Sequence, residues 1–269
     1  MTTGALIFAF DNEQTDYVAM AGWSARRIHR HLNIPVAIVT DADPGDQRLV
    51  TADQVINAVP VSGGTRWFED YQATVSWHNA GRTDAYSLTP WDQTLVLDAD
   101  YVMCGNELKT VIGSPQDFMC HRLAWDMTSM NDFDGLNYFG HNRMPMWWAT
   151  VMMFRKSNTA QYIFDSMNMI RENWRHYKDL YHITGTNYRN DYALSIALGI
   201  VSGHTLQVDN IPFGLASVVP EHTLTQLDAD YFEIGYTGSD KKPKSMGWHG
   251  MDFHAMGKKH LGDIIANPC

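Results

Sequence analysis

Two carboxylates one residue apart, at the end of an apolar run, are the first chemistry this chain offers. Thr94-Leu-Val-Leu97 is followed at once by Asp98-Ala99-Asp100. Such a run reads as a buried strand, and the turn after it aims both acids outward. Mg2+ and Mn2+ want oxygen ligands, few of them from protein, with phosphate oxygens completing the shell. An Asp-x-Asp taken alone is more often a solvated turn, so its surroundings must decide. The tripeptide Asp-Ala-Asp occurs three times, at 41–43, 98–100 and 228–230. The unequal spacing and unlike flanks argue against a structural repeat. Asp228-Ala229-Asp230 follows Thr225-Gln226-Leu227, a poor strand, and is assigned to a turn. Asp41-Ala42-Asp43 follows a good strand but runs into Pro44-Gly45; Asp41 could touch a nucleotide base there. Asp98 and Asp100 are the copy expected to hold a cation.

A second feature is charge. The chain of 269 residues has a net charge of −10, yet five lysines and one acid (Asp252) lie between Lys241 and His260. His249, His254 and His260 lie among them. A basic segment on an acidic body suggests one local anionic ligand, with phosphate the obvious candidate, or else a solvated tail.

These groups need elements to carry them. Ala5–Phe10 reads as a buried strand, and Thr15–Leu32 as a helix with Thr15 as N-cap. Pro35–Thr40 and Val55–Val59 read as strands, Glu69–Asn79 as helical, and Thr94–Leu97 as the fourth strand. Alternation of this kind implies an α/β fold with a mostly parallel sheet, whose ligands sit beyond the carboxyl ends of the strands. Asp11, Asp41 and Asp98 then share one edge. Farther on, Asp117–His121 and Trp148–Phe154 read as strands, Ser157–Tyr181 and Asn190–Ile200 as helices. Leu206–Val208 and Tyr231–Ile234 read as short strands. One domain with an irregular C-terminal cap is expected.

Together the motifs resemble a family. Thr94–Asp100 is similar to the "YLDAD" signature of the GT-A glycosyltransferases, metal-dependent enzymes that transfer a sugar from a nucleotide diphosphate. The similarity is to the glycogenin and lipopolysaccharide galactosyltransferase family. Ile7-Phe-Ala-Phe10-Asp11-Asn12, followed by Tyr17, resembles that family's first strand and uridine contacts. Asn190-Asp191-Tyr192-Ala193-Leu194 resembles its "DQDxLN" helix start, with Asn-Asp in place of Asp-Gln. His254-Ala-Met-Gly257-Lys258-Lys259 resembles its late "HxxGxxK" segment, with His260 where the family has lysine.

The resemblance implies a Rossmann-like GT-A domain over 1–269. Its 1–115 half would bind the nucleotide sugar, and its 116–269 half the acceptor. Phe10, Asp11, Tyr17 and Asp41 would hold a UDP-sugar, and Asp98, Asp100 and His254 a metal. Gly257 with Lys258 or Lys259 would hold the diphosphate, with Ala99 in the donor site. Arg82, and Asp84 beside it, would meet the donor. Asp191, with Asn190, would lie nearest the anomeric carbon; either could instead cap the helix. Imidazole beside two carboxylates tilts the metal towards Mn2+ over Mg2+. Such a cation supplies Lewis-acid stabilisation to a departing diphosphate. Retention of configuration is favoured by the resemblance only.

The acceptor is a hydroxyl of unknown class, a glycan or a hydroxymethylated DNA base. For DNA, the 241–259 lysines and Arg26-Arg27-Arg30 would meet backbone phosphates, against the overall charge. Trp147-Trp148 reads as acceptor-side stacking or as core. A nucleotidyltransferase would carry a Gly-rich loop with a lysine after the first strand, and Phe10-Asp-Asn-Glu-Gln14 has neither. A non-catalytic sugar- or metal-binding module is the other rival. The composition excludes a disordered or fibrous chain. No apolar stretch approaches a membrane span and no signal peptide is read. The three cysteines, Cys104, Cys120 and Cys269, form no CxxC, so a reducing compartment, the cytoplasm, is expected.

Overall fold

The first apolar run forms β1 (Thr3–Phe8), buried from Gly4 onward. A strand covered on both faces shows a continuous apolar run rather than alternation. The computed structural model describes residues 1–185, 187–205 and 208–267. After β1 come α1 (Tyr17–Leu32), β2 (Val36–Thr40), β3 (Gln54–Asn57) and a hairpin of β4 (Thr65–Phe68) and β5 (Ala73–Ser76). Short α2 (Ala85–Leu88), β6 (Gln93–Asp98), β7 (Tyr101–Val102), β8 (Phe118–His121) and β9 (Ala124–Asp126) follow. Next are β10 (Tyr138–Phe139), β11 (Met144–Pro145), β12 (Trp148–Arg155), α3 (Asn158–Glu172), α4 (Trp174–Leu180) and α5 (Asn190–Val201). The chain closes with β13 (Leu215–Val218), β14 (Thr223–Leu227), β15 (Tyr231–Thr237), β16 (Pro243–His249), β17 (Phe253–Ala255) and α6 (Lys258–Ala266).

The main sheet has the order β3-β2-β1-β6-β12-β8. Its first four strands are parallel, and β12 runs antiparallel to both β6 and β8. The expected mostly parallel α/β architecture is therefore present. Helix α1 packs on β1 and β2, α5 on β12, and α3 on α5. Phe154 of β12 meets Phe164 of α3 edge to face, with ring centroids 4.8 Å apart. A second sheet, β7-β17-β13-β9, carries His254 on β17, antiparallel to β7. That pairing sets His254 opposite Tyr101, one residue after the Asp98-Asp100 turn.

Several local expectations are corrected. Glu69–Asn79 is not helical: its middle is strand β5, paired antiparallel with β4. Thr74 and Val75 are β-branched and favour a pleated surface, and Gln72 closes the turn at φ 50°. The N-cap of α1 is Asp16, not Thr15, and its carboxylate accepts the Ala19 N–H at 2.7 Å. The expected helix Ser157–Tyr181 breaks at Asn173 into α3 and α4. The third strand is Gln54–Asn57, shorter at its end than expected. Val208 is not in a strand, and Leu206 lies outside the described residues. Thr223–Leu227 does form a strand, and 228–230 is its turn into β15. Buried Arg27 donates to the carbonyls of Asp228 and Ala229 at 2.7 and 2.9 Å, so this third Asp-Ala-Asp is a structural corner. Arg27 is thereby withdrawn from any phosphate-binding face. Cys104 and Cys120 are buried free thiols, and Cys269 lies outside the described residues. No helix among the described residues is long and apolar enough to cross a membrane.

One buried group makes stability depend on pH. His121 of β8 is fully buried, and its Nδ1 lies 2.9 Å from the Phe213 carbonyl, a donor geometry for neutral imidazole. Burial pulls this histidine down to about 4 from an ordinary 6.5. Between those values unfolding takes up a proton, so stability present above pH 6.5 is lost as pH falls through 4. The loss from this group is about 3 kcal/mol. In His121→Gln, urea unfolding between pH 7 and pH 4 should show a shallower decline than the parent. Equal declines would mean the imidazole titrates alike in both states.

Candidate active site

The carboxyl ends of the parallel strands form the floor of a cavity of about 340 Å3. Phe10 and Tyr17 come from the β1 end, and Asp98, Ala99 and Asp100 from the β6 end. His254 and Lys258 face them from the C-terminal segment, and Asn190 and Asp191 from the start of α5. Residues from four distant stretches of sequence thus share one cleft.

Asp98, Asp100 and His254 converge, with one ligand atom from each lying within 4.8 Å of the others. His254 Nε2 is 3.6 Å from Asp100 Oδ1. Asp100 is 5% exposed, and its Oδ1 has no hydrogen-bond partner among the described residues. A buried carboxylate oxygen without a donor is costly unless something positive completes it. Its other oxygen already contacts the Lys258 ammonium, which also donates to the Ala255 carbonyl at 2.9 Å. Burial alone would raise the Asp100 carboxyl, but Lys258 and His254 outweigh it and hold the group well below the carboxylate range. Two carboxylates and an imidazole with an open oxygen fit a divalent cation such as Mn2+ or Mg2+.

Arg82 lies beneath this cluster, 2% exposed. It pairs with Asp98 and donates to the Ala149 carbonyl of β12 at 2.7 Å. Burial lowers its guanidinium to about 10, still charged at neutral pH. Asp191 does not cap α5: the N-cap is Arg189, without a side-chain cap bond. Its carboxylate instead accepts the Ala149 N–H and Arg189, each at 2.9 Å. Burial would raise this acid, but Arg189 and that N–H outweigh it and keep it below the usual range. Asn190 is buried and donates to the Asn79 carbonyl at 2.9 Å.

Other expected residues stand outside the cleft wall. Asp11 accepts the Val18 N–H at 2.9 Å and pairs with Arg48 at 2.8 Å, holding the loop after β1 against α1. Asp41 is exposed beyond β2. Asp84 turns to Arg171, 3.4 Å away. Gly257 packs on Pro220 at the start of α6. Lys259 is exposed; its N–H donates to Asp70 at 2.8 Å, so of the two lysines only Lys258 faces the cleft.

Sequence reasoning missed the hairpin wall. Arg66, Trp67, Trp77 and His78 line the cleft, as does Arg189. The helical reading of Glu69–Asn79 hid Trp77 and His78 and broke their link to Arg66 and Trp67, although two tryptophans ten residues apart around a turn were a usable signal. Of the singled-out pair, Trp148 lines the cleft, whereas Trp147 is buried with its N–H on Ser195 Oγ at 2.7 Å. A second cavity of about 300 Å3 lies beyond Trp148 and Arg189, which border both. Tyr138, Phe139, Arg143 and Tyr192 contribute to its wall.

No protein-family model matches the chain, and no curated protein matches it in sequence. Some solved structures are similar to parts of the chain. The galactosyltransferase LgtC, solved with donor and acceptor sugar analogues, matches 72% of this chain and 70% of its own at 12% identity and TM-score 0.46. The glycosyltransferase GlyE of Streptococcus pneumoniae TIGR4 matches 78% of this chain at 12% identity and TM-score 0.44. This chain spans only 45% of the GlyE chain. A mutant of Drosophila beta-1,4-galactosyltransferase 7, solved with manganese, UDP-Gal and xylobiose, matches 79% of this chain and 66% of its own at 11% identity and TM-score 0.38. All three are glycosyltransferases. Their ligands remain theirs.

Proposed function

We propose that the protein is a GT-A glycosyltransferase that moves a sugar from a UDP-sugar to a hydroxyl acceptor. The observation that carries this reading is the convergence of Asp98, Asp100 and His254, with an orphaned Asp100 oxygen, at the sheet edge where α/β folds bind ligands. Those three residues would hold Mn2+ or Mg2+, which supplies Lewis-acid stabilisation to a leaving diphosphate.

The chain's own residues do the rest. Phe10 and Tyr17 border the uridine side, while Asp11 acts there through the loop that it holds against α1. Lys258 can turn its ammonium from Asp100 to a phosphate oxygen as negative charge grows. Arg82 fixes Asp98 and ties it to β12. Asp191 stays ionised, aimed by two donors, and could stabilise positive charge at the anomeric carbon or take the acceptor's proton. The acceptor would approach through the second cavity, whose rings offer flat apolar faces to a sugar or a base. The 1–115 half then supplies most donor contacts and the 116–269 half the acceptor wall.

Thermal unfolding with a panel of nucleotide sugars tests this reading. A ligand at 100 times its dissociation constant adds about 2.7 kcal/mol, a shift of a few degrees. One UDP-sugar is expected to raise Tm with Mn2+ present and to lose that effect in EDTA. No shift with any nucleotide sugar in the presence of metal would sink the proposal and leave Asp98 an acidic turn.

A further inference from the structure

Pairing the charges in the cleft leaves one cation without a carboxylate partner among the described residues. Four arginine and lysine side chains line it: Arg66, Arg82, Arg189 and Lys258. Arg82 pairs with Asp98, Arg189 with Asp191 and Lys258 with Asp100. No ion pair joins Arg66 to any carboxylate among the described residues. Its guanidinium lies 3.6 Å from the Trp77 ring centroid and donates to the Tyr188 carbonyl at 3.3 Å. Burial lowers it to about 10, with Arg189 nearby as the next cause.

The remaining acids of the wall are engaged elsewhere. Glu69 accepts from Trp67 Nε1 at 2.7 Å and from Gln72, and Asp70 accepts the Lys259 N–H. Nor is Arg66 free to swing away. Its hairpin is tied to the loop after β1, where Asn12 donates to the Ser76 carbonyl and Ser76 donates to Glu13. Asn187 also donates to the Thr65 carbonyl. A planar, stacked guanidinium held this way is preorganised for one bidentate anion.

The donor reading already uses the other charges. A divalent cation would balance Asp98 and Asp100, Lys258 would turn to the diphosphate, and Arg82 stays on Asp98 beneath them. Arg66 makes no ion pair with these acids; it donates to the carbonyl of Tyr188, three residues before Asp191, the acid that the donor reading puts nearest the anomeric carbon. We infer that Arg66 receives a carboxylate on the transferred sugar, so that the donor is a UDP-hexuronic acid rather than a neutral UDP-hexose. The inference rests on the donor reading above and narrows it.

Calorimetric titration with Mn2+ present tests it, using UDP, UDP-glucose, UDP-galactose, UDP-glucuronate and UDP-galacturonate as probes. One uronate should bind at least about tenfold tighter than its parent hexose, as a charge-assisted pair gives. In Arg66→Gln that preference should fall to within about threefold while UDP binds as before, and Arg66→Lys should keep part of it. Uronates that bind the parent protein no tighter than hexoses would overturn the inference, even if no variant folds. So would an Arg66→Gln that weakens UDP as much as the uronate, since the guanidinium would then serve the diphosphate. If UDP itself fails to bind, the donor reading falls first and takes this with it.

Discussion

Asp98→Asn should abolish the metal-dependent stabilisation by a UDP-sugar and reduce transfer on the order of 10³-fold, the loss seen when a main electrostatic contact to a transition state is deleted. The substitution preserves shape and removes charge. Asp98 is the last residue of β6, in register with Phe8 of β1, so the sheet fixes where its backbone lies. An amide keeps one acceptor but cannot balance a divalent cation, and only Asp100 and His254 would remain as full donors. There is a structural cost as well. Arg82 would stay buried with its neighbouring carboxylate gone, and breaking a buried pair costs about 3–5 kcal/mol. Asp98 is about a quarter exposed, which places the cost at the low end, and Arg82 keeps its bond to the Ala149 carbonyl. Circular dichroism and unfolding therefore accompany the assay. A folded Asp98→Asn that binds metal and donor like the parent would remove Asp98 from the metal site.

The same residues show how far the sequence could be read. Continuous apolar runs declared β1, β2 and β6, because strands covered on both faces have no polar side to confuse the pattern. Asp98 and Asp100 were legible for the same reason: two acids directly after such a run have few places to go. His254 was legible only through its Gly-Lys-Lys flank, since nothing local says that β17 will lie beside β7. The hairpin wall was not legible. Glu69–Asn79 holds apolar residues at spacings that suit either a helix or a pleat, and the tertiary ties from Asn12, Glu13 and Lys259 decide it. Asp11 and Asp84 show the converse. Their positions matched the pattern, but Arg48 and Arg171 lay within reach and took their carboxylates. Sequence places an acid at the end of a strand; it does not say which cation will arrive from elsewhere.

Asp191→Asn should cut turnover by about 10²–10⁴ while metal and donor still bind, because a positioned carboxylate acts on the reaction rather than on the diphosphate. Both of its oxygens are occupied by donors, so its direction is set before any ligand arrives. The asparagine can keep the Ala149 N–H on its carbonyl oxygen, but its NH2 then faces Arg189 and repels it. That freed guanidinium borders both cavities, which makes a second readout available. If Asp191 acts on the anomeric carbon or the acceptor hydroxyl, hydrolysis of bound UDP-sugar and transfer should both fall, at unchanged donor affinity. If the acid merely holds Arg189 in place, Arg189→Met should reproduce the loss, and Asp191→Asn should add nothing to it. The double variant decides between these roles: a further drop beyond Arg189→Met assigns the chemistry to the carboxylate, and no further drop assigns it to the wall that the carboxylate supports.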